Sequence, residues 1–344
     1  AEISTLIVQG RFKTSDYVGM FYEACPEAYE SKPGRISSEK FPFLRNVIFL
    51  GDVPHNGMFT WPDLMGRGQE VSMDELVARE EALGFDDAIN IQYTSGTTGF
   101  PKGVVLTHHG VLNNGFIIGE GMNFSEEDRL CIPVPFYHCF GMVLSNLACM
   151  THGSTMVLPS PAFSVEDVLK TIEQERCTAL HGVPTMFIAE LAHPDFPKYS
   201  MSTLRTGIMA GSPCPIEVMK DVSRRMNMSG IVIVYGQTET SPGLTMTTTR
   251  DPLNRRVSTV GRVFPHTELK IVDPSSGRVV PRGEIGEICA RGYCVMKCYY
   301  NNPSATHATI DPEGWNHTGD LGTMDDEGYV KIVGRLKDMV IRGG

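Results

Sequence analysis

Short apolar runs alternate with amphipathic stretches over the first three-quarters of the chain. Runs of apolar and β-branched residues predict buried strands, and apolar residues three or four positions apart predict helices. This alternation predicts an α/β fold in which mainly parallel sheets are covered by helices. The predicted strands are 46–50, 89–93, 130–134, 155–158, 178–181, 204–209 and 231–235, and the predicted helices are 72–83, 165–175, 216–226 and one that Thr107 caps.

The pattern changes after about Pro252, where short β-runs follow one another at 268–272, 287–290 and 329–333. Closely spaced strands joined by tight turns favour antiparallel pairing. A small β-barrel-like subdomain is therefore expected beside the α/β part. The predicted subdomains are 1–134 with a phosphate loop, 135–252 as a second α/β part, and 253–334 as the β-rich part.

Composition and charge exclude several classes of protein. The 344 residues are 41% hydrophobic and 20% charged, so a sizeable core is expected. Thirty basic against 40 acidic residues give a net charge of −10, which argues against general nucleic-acid binding. Nine cysteines without a Cys-x-x-Cys pair fit neither a disulfide scaffold nor a zinc-binding pattern. No apolar run approaches the roughly 20 residues of a membrane span, and no signal or transit peptide is visible at the start.

The strongest chemical signal lies between Tyr93 and Gly103. A predicted strand ends there in a loop of glycines and hydroxyl side chains, whose backbone N–H groups can bind an anion. Lys102 adds a mobile cation that can follow a polyphosphate. The loop is not a Walker A sequence, because Pro101 precedes the lysine and glycine follows it, and no Gly-x-Gly-x-x-Gly occurs. The candidate triphosphate-binding residues are Thr94, Ser95, Gly96, Thr97, Thr98, Gly99, Phe100, Pro101 and Lys102.

Further motifs follow downstream. Tyr235-Gly-Gln-Thr-Glu239 comes after a predicted strand, and the carboxylate of Glu239 is a ligand that Mg²⁺ prefers. Trp315-Asn-His-Thr-Gly-Asp320 places a carboxylate on a turn, where it can accept both hydroxyls of a ribose. The segments 135–138, 210–215 and 334–338 complete the series.

In this order the motifs resemble those of the adenylate-forming superfamily, which includes acyl- and aryl-CoA synthetases, firefly-type luciferases and amino-acid adenylation domains. The resemblance is most specific from Tyr93 onward and points to the mitochondrial, medium-chain acyl-CoA synthetases. It implies the N-terminal-domain fold of that superfamily. It also implies that Lys102, Thr238 and Glu239 are catalytic and that Glu239 holds Mg²⁺. The residues that would join the loop in binding ATP or AMP are Gly211, Tyr235, Thr238, Asp320 and Arg335, and those that would line the acyl pocket are His138, Gly211 and Gly236. Lys337 would be the hinge within 335–344.

The function implied by the resemblance is ATP-dependent activation of a fatty acid, expected to be of medium chain length. The acid becomes an acyl-adenylate and then acyl-CoA, with ATP, Mg²⁺ and coenzyme A as the small molecules required. The same motifs leave open an aryl-CoA ligase, an amino-acid adenylation domain, a luciferase-like oxygenase, and a truncated product that binds nucleotide without turnover. A hydrolase is disfavoured, because no Gly-x-Ser-x-Gly occurs.

Members of the superfamily are expected to be longer at both ends. The chain is therefore interpreted as the nucleotide- and acyl-binding core without the C-terminal domain, which carries the catalytic lysine of adenylation. By itself it is expected to make little or no acyl-CoA. A mitochondrial location rests on the resemblance alone, with the cytoplasm as the alternative. Small-molecule partners and no nucleic acid are expected, and the oligomeric state stays open.

Overall fold

The computed structural model describes residues 2–94 and 100–338, and the chain divides into two compact units, Ala1–Gly84 and Phe85–Gly344. The first unit contains a three-stranded parallel sheet with a small hydrophobic cluster that includes Phe21 and Val47. Its elements are β1 (Thr5–Val8), β2 (Arg11–Phe12), β3 (Ser15–Asp16), α1 (Tyr17–Ala24), β4 (Asn46–Phe49), β5 (Phe59–Thr60), α2 (Trp61–Gly68) and α3 (Met73–Glu81). The predicted strand at 46–50 and helix at 72–83 are confirmed as β4 and α3. The subdomain boundaries given above stay predictions.

The second unit contains the remaining strands and helices. Its elements are β6 (Ala88–Thr94), β7 (Lys102–Thr107), α4 (His108–Met122), β8 (Arg129–Cys131), α5 (Ala148–His152), β9 (Thr155–Val157), α6 (Val165–Gln174), β10 (Ala179–Leu180), α7 (Pro184–Leu191), β11 (Thr206–Ala210), α8 (Ile216–Arg225), β12 (Gly230–Gly236), β13 (Gly243–Met246), α9 (Leu253–Ser258), β14 (Arg262–Val263), β15 (Thr267–Val272), β16 (Gly286–Gly292), β17 (Cys298–Tyr299), α10 (Pro303–Thr309), β18 (Asn316–Met324) and β19 (Val330–Arg335). A π-helical segment, Phe140–Leu147, precedes α5. No helix in the described residues combines the length and the apolar character needed to cross a membrane.

A seven-stranded sheet forms the core of the second unit, in the order β14-β13-β12-β11-β10-β8-β9. The five strands from β9 to β12 are parallel, as the alternation of strands and helices predicts, and β13 and β14 run antiparallel at one edge. Successive residues of β12 pack into different hydrophobic clusters, Ile231 and Ile233 into one and Val232 and Val234 into the other. This sheet is therefore buried on both faces, which explains the nearly continuous apolar runs of its strands.

Two smaller antiparallel sheets adjoin this layer. One has the order β15-β16-β18-β19 and confirms the antiparallel pairing predicted for the β-rich part. The other has the order β17-β7-β6. The predicted strand at 89–93 thus pairs antiparallel with β7, a strand that the sequence pattern did not predict, instead of joining the parallel sheet. The phosphate loop is consequently the connection of a β-hairpin.

A buried carboxylate ties the start of β8 to β11. Asp128 is almost fully buried, and both of its oxygens accept from Arg205, Oδ1 from Nε at 3.0 Å and Oδ2 from Nη2 at 2.6 Å. Thr178 Oγ1 donates to Oδ1 at 2.6 Å, and the Ser125 N–H donates to Oδ2 at 2.9 Å. Burial alone would raise the pKa of Asp128, but these donors outweigh it and the pKa is lowered. The carboxylate is therefore held ionised.

Glu190, on α7, is a buried carboxyl whose Oε2 has no hydrogen-bond partner among the described residues. Burial raises its pKa from 4.5 to about 8. The folded protein then keeps a proton on Glu190 that the unfolded chain loses above pH 4.5, so the free energy of unfolding falls as pH rises from about 4.5 to about 8. We expect a slope of about 1.4 kcal/mol per pH unit from this one group.

The change Glu190→Gln should remove this part of the pH dependence, because the amide is neutral throughout. Urea unfolding of both proteins at several pH values between 5 and 8 measures the free energy of unfolding. The value for the variant minus the value for the parent should increase as pH rises. Glu217→Gln, at an exposed position of α8, is the matched control. Stability curves that run parallel for Glu190→Gln and the parent would contradict the expectation.

Candidate functional site

The site lies beyond the carboxyl end of β12. This strand ends at Gly236, and a short 3₁₀ turn, Thr238–Thr240, leads into β13, which returns antiparallel. A Cβ on Gly236 would lie 1.9 Å from the Pro242 carbonyl oxygen, so only glycine allows this close return. The turn brings Glu239 into a buried position.

Asn114, on α4, fastens the turn to the helix behind it. Its Nδ2 donates to the carbonyl oxygens of Gly243 at 2.8 Å and Thr240 at 3.3 Å, and its Oδ1 accepts from the Gly243 N–H at 3.0 Å. The side chain is fully buried, so these bonds meet its hydrogen-bonding needs. Asn114 was not among the predicted site residues. The signal for it was a polar residue three positions after Val111 and four before Ile118, on the buried face of the helix.

Tyr299 joins the predicted phosphate-loop cation to the predicted magnesium ligand. Its hydroxyl donates to Glu239 Oε1 at 2.5 Å and accepts from Lys102 Nζ at 3.0 Å. Lys102 Nζ also lies 4.2 Å from the centroid of the Tyr299 ring. Burial, together with the carboxylate of Glu239, raises the pKa of Tyr299. The hydroxyl is therefore a stable bridge between the ammonium and the carboxylate.

Strand pairing explains why Tyr299 reaches these groups. Tyr299, on β17, pairs with Val104, on β7, two residues after Lys102. The Met296 N–H donates to the Glu239 carbonyl oxygen at 2.9 Å and ties the segment before β17 to the turn. The sequence did not predict a role for Tyr299, because its hydroxyl contacts two residues that lie far away in the chain.

A second cluster surrounds Asp320, on β18. Tyr235 Oη donates to Asp320 Oδ2 at 2.8 Å, and Arg335 Nε lies 3.3 Å from Asp320 Oδ1. Burial raises the pKa of Asp320, although Tyr235 and Arg335 oppose that shift. Burial and the same carboxylate raise the pKa of Tyr235 well above its ordinary value. Two of the residues predicted to join in binding ATP or AMP, Tyr235 and Arg335, thus both contact a third, Asp320.

The predicted acyl-pocket residues lie on other segments. His138 is exposed, and its Nδ1 accepts from the Phe140 N–H at 3.0 Å. Neighbouring protein atoms partly shield the imidazole from water, and this desolvation lowers the pKa of His138. Cys139, next to it, is buried, and burial together with the charge of Glu239 raises the pKa of its thiol to about 12. Gly211 has φ +87° and follows β11, and a Cβ there would lie 3.2 Å from Val183 Cγ1.

The described part of the phosphate loop is limited to its ends. Thr94 pairs with Lys102 across the hairpin, and Phe100 is 84% exposed. Lys337 follows β19 in a short 3₁₀ turn, Leu336–Asp338, and is exposed. The predicted phosphate ligands Ser95, Gly96, Thr97, Thr98 and Gly99 lie outside the described residues.

The site residues fit a magnesium nucleotide chemically. Glu239 supplies one carboxylate in a buried position, and Mg²⁺ bound with phosphates commonly uses one or two protein carboxylates and several waters. Lys102 has a cation that could meet phosphates, and Asp320 has oxygen acceptors that could meet a ribose. Glu239 and Tyr235 lie at the carboxyl end of a buried, mainly parallel sheet, which is where α/β enzymes commonly bind nucleotides.

Residues 41–300 match the AMP-binding enzyme family, and the chain belongs to that family. It is 53% identical to the putative acyl-CoA synthetase YngI of Bacillus subtilis, over the whole of this chain and 62% of that protein. It is 41% identical to the mitochondrial medium-chain acyl-CoA ligase ACSF2 of Mus musculus, over 98% of this chain and 56% of that protein. The chain therefore spans about 60% of the length of these curated relatives.

A solved structure shows the same fold. ATP-bound MatB from Rhodopseudomonas palustris superposes with a TM-score of 0.77 at 26% identity, over 99% of this chain and 61% of that one. The predicted fold class is confirmed as the N-terminal-domain fold of adenylate-forming enzymes, with mixed α/β sheets.

Proposed function

We propose that the whole protein activates a carboxylic acid with ATP, forming first an acyl-adenylate and then acyl-CoA. One observation supports the adenylation step above others. The hydroxyl of Tyr299 joins Lys102 and Glu239, so the predicted polyphosphate cation and the predicted magnesium ligand lie at one place. Asp320 and Arg335 provide the matching groups for the nucleoside end. The names of the curated relatives, acyl-CoA synthetase and acyl-CoA ligase, favour coenzyme A as the acceptor.

In the proposed first step, a carboxylate oxygen of the acid attacks the α-phosphorus of ATP. The bond from that phosphorus to the bridging oxygen breaks, and pyrophosphate leaves with the electron pair. Lys102 would balance negative charge on the departing phosphates, and Asp320 would fix the ribose so that attack is in line. Bound at Glu239, Mg²⁺ would supply further charge neutralisation. No base is needed, because the carboxylic acid is already ionised near neutral pH.

The acid that we propose is a fatty acid of medium chain length, by analogy with the ACSF2 relatives. In the proposed pocket His138, Gly211 and Gly236 line the space for the acyl chain. An amino-acid substrate is disfavoured, since the segment 136–140 carries no aspartate to bind an amine. Lys337 is the proposed hinge. A mitochondrial location is what the ACSF2 names favour, with the cytoplasm as the alternative.

Titration of the chain with ATP in the presence of Mg²⁺ tests the nucleotide site, with heat or fluorescence as the readout. One ATP should bind per chain. Tyr299→Phe should weaken binding about tenfold, because the hydroxyl orients two charged groups through hydrogen bonds, and losing about 1.4 kcal/mol of binding free energy corresponds to a factor of ten. Tyr329→Phe is the matched control, since its hydroxyl donates to Asp251, which is not a proposed nucleotide ligand. Equal affinities for the two variants, or no saturable ATP binding, would argue against the proposed site.

A further inference from the structure

We propose that Glu287, Cys289 and His317 form a binding site for a transition-metal ion, distinct from the residues proposed to face ATP. Glu287 and Cys289 are alternate residues on β16, and His317 pairs with Cys289 from β18. One ligand atom of each residue lies within 4.8 Å of the other two. The site does not rest on the proposed function. It has no Cys-x-x-Cys spacing, because strand pairing brings its ligands together.

Two of the three separations of the ligand atoms are close to those around a tetrahedral ion. Bonds of about 2.3 Å to sulfur and about 2.0 Å to nitrogen, at the tetrahedral angle, place the two ligands about 3.5 Å apart. Cys289 Sγ and His317 Nδ1 are 3.5 Å apart. Glu287 Oε2 and His317 Nδ1 are 2.9 Å apart, so ion binding requires them to separate by only about 0.4 Å. The third separation, between the ligand atoms of Glu287 and Cys289, lies within 4.8 Å.

The proposed ligands are oriented by further hydrogen-bond and ion-pair partners, as the ligands of metal sites commonly are. His317 Nε2 lies 3.5 Å from Asp311 Oδ2, so a carboxylate orients the ring and directs Nδ1 toward the other two ligands. Asp311 Oδ1 in turn accepts from the N–H groups of Glu313 and Trp315, each at 2.9 Å. Glu287 Oε1 accepts from the Gly319 N–H at 3.0 Å, which leaves Oε2 for an ion.

Burial leaves one side of the cluster accessible. Cys289 is fully buried and Glu287 is nearly so, whereas 34% of the His317 side chain is exposed. An ion can enter from this side, and a water can complete a fourth position there. One sulfur, one imidazole nitrogen and one carboxylate oxygen favour Zn²⁺ or Co²⁺ over Mg²⁺ and Ca²⁺, which prefer oxygen alone.

The site has a structural consequence for the Asp320 cluster. Glu287 binds both His317 and the Gly319 backbone, and Gly319 lies in the irregularly paired stretch of β18 that directly precedes Asp320. An ion at the cluster would fix Glu287 and His317 together and so hold this stretch in one position. Without an ion, His317 would instead only bridge the carboxylates of Glu287 and Asp311.

Equilibrium titration of the chelator-treated chain with Co²⁺ tests the proposal, with absorption spectra recorded at each step. We expect one Co²⁺ per chain, a sulfur-to-cobalt charge-transfer band, and displacement by Zn²⁺ but not by Mg²⁺. Cys289→Ala should abolish the band, and His317→Gln should lower the affinity at least as much as Asp311→Asn, for which we expect about 10- to 100-fold. Cys214→Ala removes a more accessible thiol and should change nothing.

Thermal unfolding of each variant without metal shows whether the variant is folded. If Cys289→Ala does not fold, His317→Gln still tests the site. Binding of one Co²⁺ with a band that Cys289→Ala loses, that Cys214→Ala keeps, and that His317→Gln shows only at Co²⁺ concentrations at least about 10- to 100-fold higher would support the site. Absence of saturable binding, or an affinity of His317→Gln equal to that of the parent, would overturn it and leave His317 as a bridge between two carboxylates.

Discussion

Replacing Glu239 by glutamine in the whole protein is expected to lower acid-dependent exchange of pyrophosphate into ATP by about 10²- to 10³-fold. The amide has nearly the same size, and its oxygen can still accept from Tyr299, so the turn should keep its structure. It has no charge with which to hold Mg²⁺ against the phosphates. Charge stabilisation at a reacting phosphate is worth several kcal/mol, and each 1.4 kcal/mol corresponds to a factor of ten in rate.

Glu217→Gln serves as the control for this variant, because Glu217 is exposed on α8 and pairs only with Lys220 among the described residues. Its exchange rate should equal that of the parent. Raising the Mg²⁺ concentration should restore part of the activity of Glu239→Gln if metal affinity is the cause. An exchange rate for Glu239→Gln equal to that of the parent would remove Glu239 from the proposed metal site.

Asp128→Asn is expected to destabilise the chain by about 3 kcal/mol, measured as the change in the free energy of urea unfolding. Breaking a buried ion pair from one side commonly costs about 3–5 kcal/mol, because the remaining charge loses its partner. Arg205 retains 39% exposure of its side chain, so water offsets part of that cost and the lower end of the range applies. The asparagine amide also puts an NH2 group at one of the two oxygen positions, where it faces either the Thr178 hydroxyl or the Ser125 N–H instead of accepting from it.

Asp221→Asn is the comparison for this effect, since Asp221 pairs with Arg224 at the surface of α8. An exposed pair contributes about 0–1 kcal/mol, so this variant should be nearly as stable as the parent. Equal losses for the two variants would show that the Asp128 contacts add nothing beyond an ordinary surface pair.

The sequence predicted the five parallel strands of the seven-stranded sheet because both faces of these strands are buried, and it did not predict the antiparallel edge strands β13 and β14. Strands such as 230–236 are therefore almost uninterrupted apolar runs. The strand β7 was not predicted, because its first two residues, Lys102 and Gly103, are also the last residues of the phosphate-loop motif. For the same reason the pattern did not show that β6 turns back on β7 as a hairpin and leaves the parallel sheet.

At the site, residues within compact motifs could be predicted and residues that act across the chain could not. Tyr235, Glu239 and Asp320 stand in recognisable segments. Tyr299 contacts Lys102 across 197 positions, and no local pattern marks that distance. Asn114 likewise bonds a turn 126 and 129 positions away. Such contacts depend on how strands pair and helices pack, which the fold alone determines.

We propose that this chain is the ATP- and acid-binding part of an enzyme that activates carboxylic acids. Isotope exchange between pyrophosphate and ATP by the whole protein, with and without a series of straight-chain fatty acids, aryl acids and amino acids, tests it most directly. We predict exchange that requires Mg²⁺ and an added acid and is fastest with fatty acids of medium length. Exchange that needs no acid, or none with any carboxylic acid tested, would contradict the claim.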